Sequence, residues 1–291
     1  MPENTNLPIT KTASDPVAAK LREDFAASQA AASVKAQNAT QYASEQIDLP
    51  SEGHFYPEGS PLSAGKLDIK YMTAREEDIL TSINLLKKGL ALDRVLEALI
   101  VTPNVKLSEI LVCDKEAISV NARILAYGAD YESNIICSKC GKETLSKINL
   151  SGLKSKEVDF SKYPKGVNRF EFVLPTCKKV VTFKLLNGAD IDTINAEIKS
   201  MAKISNNETS HERTIRLYHI LTSVDGQSDT ATIRKFVDDL LARDALALRR
   251  HIETVSPDFP IVFNFTCPHC DHQEELPIPI GVNFFWPDAR V

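Results

Sequence analysis

Two Cys-x-x-Cys pairs, Cys137-Ser-Lys-Cys140 and Cys267-Pro-His-Cys270, stand 126 residues apart in this chain. A two-residue gap lets one tight turn aim both sulfurs at a single point, and two such pairs supply the four thiolates of a tetrahedral zinc ion. If the halves meet, the site clamps the segment after residue 130 to the segment before residue 277, and everything between becomes one closed unit. Gly141 and Asp271 follow the second cysteine of each pair, where a chain leaving such a knuckle turns, and both residue types tolerate left-handed backbone. The flanks repeat the design: Tyr131–Ile136 and Ile261–Phe265 precede the pairs, Glu143–Ile148 and Gln273–Leu276 follow, and all four read as strands.

The competing readings are reduced thiols and a redox pair. A redox Cys-x-x-Cys normally opens a helix, which lowers the thiol pKa, whereas both pairs here lie between strand-like segments. A catalytic zinc needs an open position, which four cysteines close. A structural Zn²⁺ on Cys137, Cys140, Cys267 and Cys270 is therefore expected. His269 and His272 are left as loop histidines, and Cys113 and Cys177 as spare thiols.

The remaining composition is that of a soluble globular chain. It has 291 residues, 43% hydrophobic and 25% charged, with a formal net charge of -5. No apolar run approaches the ~18 residues of a membrane span, and the polar start lacks the basic and apolar regions of a signal peptide. The acidic balance argues against a general nucleic-acid binder.

Three regions are expected. Residues 1–46 are rich in Ala, Ser, Gln, Asn and Thr and form an arm, either a mobile tail or a helix over 15–46 whose thin stripe of Val17, Leu21 and Phe25 orders on a partner. Residues 47–130 hold a proline- and glycine-rich loop followed by a helical subdomain. The spacing predicts a strand over 66–72 and a helix from a capping box at Thr73 and Glu76 to Lys88, stopped by Gly89. A helix over 92–100 and one over 115–127 capped by Asp114 should follow. Residues 131–291 are expected as a zinc-tied β region with a hairpin (170–174 and 179–185) and inserted helices over 188–255: 190–203, 210–224 and 230–254, the last broken near Ala242. The fold class is α+β, a helical body with a small β region tied by a split four-cysteine, zinc-ribbon-like site.

Searches for catalytic signatures return nothing. Phosphate-binding glycine loops, GxSxG and HExxH are all missing from the sequence. Glu76-Glu77-Asp78 reads as a solvated first helical turn, His211 and His219 as surface histidines, and Arg243, Arg249, Arg250 and His251 as the wet side of an amphipathic helix. A non-enzymatic protein is expected.

Two aromatic groups stand out instead. Proline-held His54, Phe55 and Tyr56 suggest a preorganised contact surface. Phe284, Phe285 and Trp286 must pack either in the core or into a partner, and aromatic anchors are typical of interface hot spots. Both groups are taken as candidate partner contacts.

Three strings then carry a resemblance. Ile47-Asp-Leu-Pro50 through Gly53-His-Phe-Tyr-Pro57, with Lys70-Tyr-Met-Thr-Ala-Arg-Glu-Glu-Asp-Ile-Leu80, resembles the front of the T-even-type bacteriophage baseplate protein family of contractile tails. The paired knuckles and Val282-Asn-Phe-Phe-Trp-Pro287 resemble its later part. The resemblance implies a structural component or assembly factor of the baseplate hub. It further implies contacts with hub or wedge subunits in a symmetric assembly, and residence in the virion tail after assembly in the host cytoplasm. The alternative is a zinc-ribbon nucleic-acid-binding or transcription-associated factor, favoured by Lys139, Lys142 and Lys147 and opposed by Asp271, Glu274 and Glu275. A metalloenzyme is the third reading; it predicts an open metal site, and four cysteine ligands around one ion would dismiss it.

Overall fold

The computed structural model describes residues 43–204 and 211–285. Of the expected arm, residues 1–42 lie outside that range. The helix expected over 15–46 does not reach its end, because Ser44–Asp48 is strand β1, antiparallel to β2 (Lys66–Lys70).

Between these strands the chain folds back on itself. Leu49 N donates to Gly65 O at 2.9 Å, and Gly53 and Gly65 both take φ +71°. A Cβ on Gly65 would stand 2.7 Å from the Glu52 backbone, and one on Gly53 would stand 2.5 Å from Gly65 N. Only glycine permits that crossing. It presses Leu49, Phe55, Tyr56 and Leu62 into the core with Leu67 and Ile69.

The helical subdomain follows as α1 (Ala74–Thr81), α2 (Ile83–Lys88), α3 (Ala91–Leu99) and α4 (Val112–Tyr127). The single helix expected to Lys88 is interrupted at Ser82, whose extended ψ of 106° breaks the ladder. Gly89, left-handed at φ 70°, then closes α2: its N–H donates to Leu86 O, and Leu90 N donates to Leu85 O. The Glu76 carboxylate does reach back, accepting from Thr73 N (2.9 Å) and Thr73 Oγ1 (2.7 Å). Contrary to a solvated first turn, Glu76 is buried and takes Lys70 Nζ at 2.8 Å.

Asp114 overturns another expectation. It does not cap a helix beginning at Lys115, because α4 starts two residues before it at Val112. Its fully buried carboxylate faces the 50s loop, accepting from Ser51 N (2.9 Å), Ser51 Oγ (2.6 Å) and Tyr56 Oη (2.6 Å). Tyr56 Oη also accepts from Leu111 N at 2.9 Å. These bonds latch the loop onto the first turn of α4, whose dipole favours an anion.

Sheets are small and separate, all antiparallel. β3 (Asp130–Ile136) pairs with β4 (Glu143–Asn149), and β8 (Val262–Thr266) with β9 (Gln273–Pro277). β5 (Phe170–Val173), β6 (Val180–Phe183) and β7 (Leu221–Val224) form a three-stranded sheet. The helix expected over 210–224 is therefore α6 (Glu212–Ile220) alone, and its last four residues leave the helix to pair with β6. α5 (Gly188–Ile204) precedes it; α7 (Thr230–Asp238) and α8 (Ala242–Val255) follow, divided near Ala242 as expected. Glu197 on α5 binds Arg234 on α7 through two bonds (2.6 and 3.0 Å) and His219 on α6 at 2.9 Å, tying three helices together. His251 is not on a wet face; it stacks on Phe172 with ring centroids 4.4 Å apart. The last described element is the short α9 (Val282–Phe285), and the main apolar core draws on residues from Ile47 to Phe285.

Two outcomes test this reading. Gly65→Ala should cost at least about 2 kcal/mol in urea unfolding, since it adds positive-φ strain to a backbone clash, and Asp114→Ala about 3 kcal/mol, since buried donors lose their acceptor. The second test concerns acid. Burial alone would raise the Glu76 carboxyl, but its bonds from Lys70 and Thr73 outweigh that and hold it below the usual carboxylate range. A depressed folded pKa adds stability above the unfolded value of about 4.3, lost as pH falls through the folded value. The urea midpoint of Glu76→Gln should accordingly fall less than wild type's between about pH 5 and pH 3.

Candidate metal centre

Each cysteine pair sits at the tip of a hairpin, β3–β4 or β8–β9, and the two tips have the same backbone wiring. Cys137 N donates to Lys142 O (3.0 Å) and Gly141 N to Cys137 O (2.9 Å); Cys267 N donates to His272 O (2.9 Å) and Asp271 N to Cys267 O (3.0 Å). Gly141 (φ 68°) and Asp271 (φ 53°) both adopt the left-handed turn expected of them. The flanking strands thus fold as the sequence predicts.

The structure brings the halves together. All four Sγ atoms lie within 4.8 Å of one another. Two contacts run across the hairpins, Cys137 to Cys270 and Cys140 to Cys267, both 3.7 Å. A disulfide would need about 2.05 Å. A tetrahedron with metal–sulfur bonds of about 2.3 Å has edges of about 3.8 Å, so the spacing matches four sulfurs around one ion. The donor set is all sulfur and closed, which suits a thiophilic metal held for structure.

Electrostatics point the same way. Hydrogen bonds from the Cys140 and then the Lys139 amides pull the Cys137 thiol down to about 7. The His272 amide favours a Cys270 thiolate, yet burial and the bonds to Cys267, Cys140 and Cys137 push that thiol up to about 12. Crowded thiols resist joint ionisation unless a cation neutralises them. Around them Phe265 is buried, Ile135, Phe263 and Leu276 pack close, and Ser138 N donates to Glu274 Oε1 across the hairpins at 3.3 Å. His269 and His272 are not in the ligand cluster. Cys113 is buried and Cys177 exposed.

The aromatic groups fare differently. Phe55 and Tyr56 are 2% and 5% exposed and belong to the core, not to a contact surface. Phe55 meets Phe160, Tyr163 and Phe170 edge-on, with centroids 5.2 to 6.1 Å apart. His54 stacks on Phe160, its Nε2 lying 2.8 Å from the Tyr163 carbonyl oxygen. Phe284 and Phe285 are fully buried, Phe284 beside Tyr131 at 5.2 Å. They take the core alternative because buried Arg123 anchors the backbone there, donating from Nε to Phe284 O at 2.8 Å and from Nη1 to Gly128 O at 3.1 Å. Trp286 lies outside the described residues. Asp114, read from the sequence as a helix cap, and Arg123, not singled out there, are the buried polar side chains that organise these groups; for Arg123 the available signal was a lone charge within the apolar run Ala122–Leu125.

A family model described as T4 bacteriophage base plate protein matches residues 44–286. No curated protein and no solved structure matches the chain. The matched span includes both cysteine hairpins and the 50s loop.

The site predicts one equivalent of bound metal per chain by elemental analysis. Serine at any of the four cysteines should abolish that equivalent and raise protease sensitivity after residue 130. Cys113→Ser and Cys177→Ser should retain it.

Proposed function

We propose, from the fact that the chain belongs to the T4 bacteriophage base plate protein family over residues 44–286, that it works without catalysis as a structural component or assembly factor of the hub of a contractile tail baseplate. Membership carries the structural role in the phage baseplate. The finer reading is ours: the chain acts by protein–protein contact with hub or wedge subunits in a symmetric assembly, entering the tail after assembly in the host cytoplasm. No helix among the described residues is long and apolar enough to cross a membrane.

The family match is the observation that carries this proposal, and the four-sulfur cluster supports it. We assign the metal as structural Zn²⁺, bound by Cys137, Cys140, Cys267 and Cys270, because zinc prefers a closed tetrahedron of thiolates and has no redox chemistry to run there. Such an ion stiffens the hairpins at little cost in chain length, which suits a part that must present fixed surfaces to several neighbours.

Mass spectrometry of purified virions and tail assembly intermediates, combined with crosslinking, tests the reading. Peptides of this chain should appear in one or both fractions, crosslinked to baseplate proteins. A chain missing from both would overturn the proposal.

A further inference from the structure

A groove of about 670 Å³ runs between α3, the start of α4 and the segments that lead into β8 and out of β9. Its walls are largely apolar, with Leu92, Phe259, Pro260, Ile278 and Ile280 among the lining residues. Charged side chains line it too, and their pairing is uneven. Lys115 Nζ is engaged by Asp93 at 2.6 Å and Arg216 by Glu212 at 3.0 Å, so both cations of the groove are already paired. Glu116 and Asp258 make no ion pair and no side-chain hydrogen bond among the described residues. Burial first, and then the charge of Asp258, push the Glu116 carboxyl up to about 7. A half-buried carboxyl without a donor sits in unfavourable surroundings. A cation brought beside Glu116 would relieve it, with exposed Asp258 at the mouth of the groove as a second acceptor.

We propose that this groove docks a segment of a neighbouring protein that presents a Lys or Arg between apolar side chains, with the cation between Glu116 and Asp258 and its apolar neighbours against Leu92, Phe259 and Ile280. The inference rests on the protein-contact mode proposed above and gives that mode a location. Lys and Arg match the site because their stems cover apolar surface while the charged head reaches the carboxyls. A bare divalent ion does not, since two carboxyls among apolar walls supply too few oxygens. The sign of the free charge is wrong for nucleic acid.

The test uses the full-length chain in two arms. In the first, acetyl-Leu-Lys-Leu-amide and its neutral counterpart acetyl-Leu-Gln-Leu-amide are titrated against the purified protein by NMR. The lysine peptide should bind at least about tenfold more tightly, the worth of one good charge contact, and Glu116→Gln with Asp258→Asn should erase the difference. Equal binding, or no binding near residues 116 and 258, overturns the inference. In the second arm the charge reversal Glu116→Lys with Asp258→Lys is placed in the phage. Tail yield should fall about tenfold or more, with metal content and melting unchanged, and suppressors should map to a Lys or Arg of another tail protein. Wild-type yield, or suppressors confined to this chain's own basic residues, overturns it. Peptide discrimination in a chain that never joins the tail would sink the baseplate reading alone. Tail incorporation without discrimination would sink the groove alone.

Discussion

The tips of two hairpins, separated by 126 residues of chain, meet at four thiols, a small apolar cluster and the Ser138–Glu274 hydrogen bond. Among the described residues, Cys137, Phe265 and Cys267 are the buried side chains of a small cluster distinct from the main core. A two-stranded hairpin is marginal by itself, and closing a loop of this length in an unfolded chain costs about 4 kcal/mol. The structural zinc proposed here would contribute on the order of 10 kcal/mol, enough to offset that closure and to hold both tips. Such an ion would enclose the helices between the hairpins at both ends.

A second constraint works without metal. The Asp114 carboxylate gathers Ser51 and Tyr56, and Tyr56 in turn accepts from Leu111. The glycine crossing at Gly53 and Gly65 delivers those donors to it. Such a network is stabilising only when every member is satisfied. Here each is, which explains why a loop full of turn residues sits inside the core.

Legibility in the sequence followed the range of the interaction. The knuckles were readable because a Cys-x-x-Cys turn, its left-handed exit residue and its flanking strands are all local. The division near Ala242 was readable for the same reason. Leu221–Val224 was not: its β-branched residues continue a helical pattern acceptably, and only β6, some 40 residues earlier, converts them to strand. Nor did the aromatic strings declare their destination, since burial in a core and burial in a partner ask for the same side chains. Arg123 and Phe160 decided that question, and neither adjoins the residues it holds.

By itself, then, the sequence determined the chemistry: a four-thiol ligand set, an α+β pattern, a glycine-built loop and a family resemblance, because each is written in neighbouring residues or in residue type. Tertiary structure alone decided that the two cysteine pairs share one point in space, that Asp114 is a buried acceptor and not a helix cap, and that Glu116 and Asp258 find no cation among the described residues. Those outcomes depend on which distant groups satisfy one another once water is excluded, and no local pattern encodes that pairing.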